Sequence, residues 1–155
     1  MSLRRVVAAF AAWVAILVPL AAQGQPAPPT GRWAGTYTCG QGLTGITLVI
    51  VERAQSRLSG LFHFYADPSN PGVPTGCFTM SGTIDHATGR LQLGGDRWIV
   101  QPPGYVVVDF NGRIDASGGS IDGAVAGPAC TTFALTRSTT PWAAPDACRA
   151  AIGKS

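Results

Sequence analysis

Histidine is scarce in this chain. Only His63 and His86 occur in 155 residues, and neither sits in a known catalytic motif. There is no G-x-S-x-G, no H-E-x-x-H and no phosphate-cradling P-loop, which removes the recognisable nucleophile, zinc-hydrolase and nucleotide-binding signatures. No C-x-x-C is present, so neither a zinc site nor a redox dithiol is expected, and no metal or cofactor is called for. Charge is also sparse: charged residues make up 12% of the chain and the formal net charge is +3. Two of those positive charges are Arg4 and Arg5, and without them the chain carries about +1, with its basic residues scattered. That balance argues against nucleic acid or a membrane surface as partner.

What is present divides the chain into parts. Arg4 and Arg5 precede an uncharged apolar run, Val6 to Leu20, and then the small residues of AAQGQPAPP. This is the pattern of a cleavable signal peptide over residues 1–22, cut after Ala22 or Gly24, and it predicts a periplasmic or extracellular protein. The competing reading is a retained anchor, because the run is near the lower limit for spanning a bilayer. A Pro-rich linker (23–30), a β domain (31–137) and a tail (138–155) follow. Cys39, Cys77, Cys130 and Cys148 form an even set in an exported chain, which predicts two disulfides with three possible connectivities.

From Gly31 to Arg137 short β-favouring runs alternate with Gly, Pro, Asp and Asn, and no helical period is visible. Nine strands are predicted: 32–39, 45–52, 57–65, 77–85, 90–93, 98–101, 105–114, 120–126 and 131–137. A short helical turn is expected at 146–152, pinned by Cys148. GTIDHATGRL (82–91) matches GRIDASGGSI (112–121), with a fainter copy in VERAQSRL (51–58). Each reads as strand, acidic residue, turn, strand, so Asp85 and Asp115 are read as turn-forming carboxylates. Alternation assigns inward faces to Ile46, Leu48 and Ile50, to Leu58, Phe62 and Phe64, and to Phe78, Met80 and Ile84. The expected fold is all-β, an antiparallel up-and-down meander of eight or nine strands forming a small barrel or a curved sandwich. If the first and last strands close the barrel, Cys39 lies near Cys130 and the remaining pair is Cys77 with Cys148. A local Cys130–Cys148 pairing is the alternative.

Gly31-Arg32-Trp33 at the start of the first strand resembles the G-x-W signature of the lipocalin and avidin (calycin) superfamily. That resemblance implies a tryptophan that plugs one end of a barrel. The run GTYTCGQGLTGITLVI is similar to small exported bacterial domains of unknown function, which implies no activity.

Candidate binding positions are few. His63 and Tyr65 lie in LFHFYAD, on the strand face opposite Phe62 and Phe64, where a half-exposed histidine is expected. Asp67 and Asn70 lie in the Pro-rich loop 66–76, the longest in the domain and a place where function commonly sits. Trp98 and Tyr105 flank a Pro-Pro-Gly turn, either as an exposed platform or as core caps. Asp109 interrupts the apolar run VVVDF, either as an outward strand residue or as a binding group. Three readings follow. The first is a monomeric, non-enzymatic module holding a small ligand, glycan or protein partner through loops at one barrel end. The second is a secreted inhibitor or immunity-type protein, and the third a small periplasmic hydrolase built on His63.

Overall fold

Alternation of apolar residues along short segments favours a sheet with one buried face. The computed structural model describes residues 27–152, so the expected signal peptide (1–22) and residues 23–26 of the linker lie outside the described residues. The strands are β1 (Gly31–Cys39), β2 (Gly42–Glu52), β3 (Arg57–Ala66), β4 (Gly76–Asp85), β5 (Arg90–Val100), β6 (Asp109–Ile114), β7 (Ser120–Ala126) and β8 (Thr132–Arg137). Every neighbour is antiparallel, and β1 pairs with β8 to close an eight-stranded barrel. A 3-10 turn (Ala54–Ser56) joins β2 to β3, and one helix, α1 (Asp146–Ile152), ends the described chain.

The barrel is filled. Phe62 stacks on Phe78 at 4.4 Å and Phe110 on Phe133 at 4.0 Å, and Phe62 meets Phe110 edge-on at 5.2 Å. Such ring pairs contribute about 0.5–1.5 kcal/mol each beyond burial itself. The mid-strand glycine of the second repeat, Gly112, leaves room for this packing: a Cβ there would lie 2.6 Å from the Phe133 ring.

One end is plugged by Trp33, which is fully buried. Its Nε1 donates to the Pro29 carbonyl at 2.9 Å, and the Arg137 guanidinium lies 4.2 Å over its ring. Arg137 also donates to the carbonyls of Gly118, Thr30 and Pro28, tying the last strand to the chain entering the first.

Two strand assignments change. The fifth and sixth expected strands are one, β5, bent where its register against β4 shifts between Phe78 and Met80. The expected strand at 105–114 begins only at Asp109. Residues 107–108 instead fold across β5 at Gly95, where a Cβ would meet the Val107 Cβ at 2.7 Å and the Val108 carbonyl at 2.9 Å. The count is therefore eight.

Both cross-links join distant segments. Cys39–Cys130 follows from the β1–β8 closure, and Cys77–Cys148 anchors the tail. The tail crosses the outside of the barrel as a strap, and Ala144 and Cys148 bury against Leu61 and Cys77, flanked by Val49, Val100 and Trp142. Among the described residues no helix is long and apolar enough to cross a membrane.

Candidate functional sites at the barrel mouth and beneath the strap

The turn following β1 and the segments 67–75, 101–108 and 127–131 cluster at the end opposite Trp33. There they surround a cup of about 320 Å³, lined by Tyr37, Gln41, Phe64, Phe78, Tyr105, Val106, Val108 and the Cys39–Cys130 disulfide. Tyr105 stacks on Phe64 at 5.2 Å, and Trp98 packs edge-on against Phe78 at 4.9 Å. These two aromatics thus cap the core instead of forming an exposed platform. Val106 is 55% exposed at the lip. The polar groups of the cup are few: Gln41 Nε2 donates to the Tyr37 hydroxyl at 2.9 Å and to Thr44 Oγ1 at 3.2 Å. Burial, followed by the neighbouring Tyr105, pushes the Tyr37 hydroxyl well above its ordinary range, so it stays neutral.

The Pro-rich loop is clamped to this rim. Asn70 Nδ2 donates to the carbonyls of Gln41 at 2.7 Å and Leu43 at 3.1 Å. Asp67 accepts the backbone N–H of Ser69 at 2.9 Å and its hydroxyl at 2.6 Å. The Ser69 hydroxyl holds the Asp67 carboxyl below its ordinary value, with the Ser69 N–H assisting. Val73 buries as the loop's anchor. Asp67 and Asn70 therefore build the loop. Asp109 also has a structural partner: it accepts the Gly95 N–H at 2.9 Å, where β5 and β6 have parted.

His63 is not half-exposed. It is 2% exposed because the strap covers the outer face of β1, β2 and β3. Trp142 Nε1 donates to His63 Nδ1 at 3.1 Å, which makes Nε2 the protonated nitrogen. Nε2 then donates to Thr75 Oγ1 at 3.1 Å, and that hydroxyl donates to the Phe64 carbonyl at 3.1 Å. Burial lowers the imidazole from 6.5 to about 4. A weak base whose ring nitrogens are both committed does not activate Thr75, whose own proton is already placed. Tyr65, 5.2 Å from the His63 ring, donates to the Ile46 carbonyl.

His86 is also held in place, its Nε2 lying 2.6 Å from Glu52 Oε1. The faint third repeat copy thus spends its acidic residue on a neighbouring hairpin. Asp85 and Asp115 do form turns. Asp85 accepts Ala87 N and Thr88 Oγ1, and Asp115 accepts the N–H groups of Gly119 and Ser120 and the Ser117 hydroxyl.

The proposed ligand-binding residues thus fall into separate places. Trp98 and Tyr105 both pack on Phe64, with Tyr105 lining the cup, Asp67 and Asn70 brace its rim, and Asp109 lies apart. His63 and Tyr65 face a second concavity of about 320 Å³ beneath the strap, together with Arg32, Thr47, Ser138, Thr140 and Trp142. Sequence reasoning missed Arg32 and Trp142. The signal for Trp142 was available: an aromatic between two prolines, six residues before a cysteine, marks a segment tied to a surface.

No family model matches the chain, and no curated protein or solved structure matches it.

Proposed function

We propose that the chain is a non-enzymatic binding module that holds a small, mainly apolar ligand in the cup at the open end of the barrel. The observation that carries this reading is the cup itself: about 320 Å³ with aromatic walls, a disulfide at its edge and an exposed valine at its lip. Its size is at the lower end of the roughly 300–1,000 Å³ usual for small-molecule sites, and an apolar wall with few convergent polar groups is their usual chemistry. The saturated hydrogen bonds of His63 support a non-enzymatic role. Two disulfides fit an oxidising compartment, and with the tripartite amino terminus they support a periplasmic or extracellular location.

The test uses a neutral apolar fluorophore, N-phenyl-1-naphthylamine. Saturable fluorescence enhancement is expected, with affinity at least about tenfold lower in Val106→Lys, which sets a hydrated charge at the lip. Equal binding by both proteins, or none by either, would overturn the reading.

One observation favours a second reading, an inhibitor. Segment 67–75 is pre-organised by Asn70, Asp67 and three prolines, which lowers the entropic cost of presenting it to an enzyme. Rapid subtilisin cleavage between Pro68 and Pro74 would remove that reading.

A further inference from the structure

We propose that the groove beneath the strap is a second binding site, which takes a small organic carboxylate with a flat apolar body and uses Arg32 as its anchor. The site does not depend on the cup, which opens at the end of the barrel, whereas the groove lies on the outer face between β1, β2, β3 and residues 138–143.

Arg32 carries the argument. It is fixed in the groove floor by β1, and the strap begins on it, with Ser138 N donating to the Arg32 carbonyl at 2.9 Å. Its Nε is buried and finds no hydrogen-bond acceptor among the described residues, and no carboxylate there pairs with its charge. A buried donor on a permanently charged group is costly when left unmade, and native structures rarely tolerate one without reason. A guanidinium matches a carboxylate in planar, two-pronged fashion, and in Arg32 the two terminal nitrogens, beyond the enclosed Nε, are the pair a ligand in the groove would meet.

The remaining lining selects among anions. No acidic residue lines the groove, and His63 is neutral there, so Arg32 sets its charge. Thr140 and Ser138 offer hydroxyls, while Trp142 and Tyr65 supply aromatic surface. Those walls favour an apolar body behind the carboxylate over a fully hydrated oxyanion such as free phosphate. The groove's volume, about 320 Å³, is at the lower end of small-molecule sites and suits a small organic acid.

The experiment follows the Arg32 Nε–H and Trp142 indole N–H signals of the isotope-labelled protein by two-dimensional NMR. Three probes are titrated: benzoate, its neutral isostere benzamide, and inorganic phosphate. Benzoate is expected to shift both signals saturably, with benzamide and phosphate at least about tenfold weaker. Arg32→Gln is expected to weaken benzoate by a similar factor, and Val106→Lys at the cup is expected to leave it unchanged. If Arg32→Gln does not fold, Arg32→Lys, which keeps the charge and drops the fork, is expected to bind benzoate several-fold more weakly than the parent. The proposal is overturned if benzoate gives no saturable shift, if benzamide or phosphate binds as well, or if the Arg32 variants bind benzoate like the parent. Loss of benzoate binding in Val106→Lys would place the ligand in the cup and overturn the groove, whereas failure of the naphthylamine test leaves the groove standing.

Discussion

At the scale of single residues, His63 links the barrel to the strap and does so only while neutral. Its folded-state value near 4 lies below the ordinary 6.5, so on acidification the unfolded chain takes up the proton first. The stabilisation is complete above about pH 6.5 and is lost as the pH falls through about 4, a change of about 1–3 kcal/mol. Urea unfolding at pH 7 and at pH 4 measures it. His63→Leu should flatten that part of the pH dependence, and at pH 7 it should already be about 1–3 kcal/mol less stable, because the Trp142 indole loses its acceptor. At the plugged end, Arg137→Ala removes a cation–π contact and three donated hydrogen bonds. A loss of about 2–4 kcal/mol is expected in the same assay. The sequence showed that His63 faces away from the core, because alternation with Phe62 and Phe64 fixes that. It did not show what lies over that face, because a covering segment more than seventy residues away leaves no local periodic trace.

Among the elements, the duplicated hairpins show the reverse case, where local chemistry is written in the sequence and read correctly. β4–β5 and β6–β7 turn on Asp85 and Asp115, and each carboxylate accepts donors from its own turn. The Ser117 hydroxyl first, then the Ser120 N–H, hold Asp115 down to about 2, and Thr88 lowers Asp85 in the same direction. Both turns keep their contribution above the ordinary carboxylate range and lose it as acid protonates them, Asp115 last. Because Asp115 fixes two backbone N–H groups where Asp85 fixes one, Asp115→Ala should lower the melting temperature more than Asp85→Ala, as calorimetry would show. β5 was legible only in halves. Gly94, Gly95 and Asp96 read as a turn, yet the glycines serve a bulge and a close crossing by Val107, which one strand's composition does not reveal.

For the molecule as a whole, the strap and the barrel form two small cores on either side of one sheet, joined by Cys77–Cys148. Replacing both cysteines by serine should cost about 2–5 kcal/mol. It should also undock the strap from a barrel that still closes through β1 and β8, so that His63 titrates near 6.5 in an NMR pH series. Retention of the value near 4 would mean that packing alone seats the strap. Closure of the barrel by its first and last strands also sets a timetable. A chain made from its amino terminus exposes one edge of β1 until β8 exists, about a hundred residues later, and Trp33 waits equally long for Arg137. Until then the nascent sheet is an open template for mispairing. Completion of the barrel is thus a late, all-or-none event, and a chain stopped before Thr132 has no way to hide that edge.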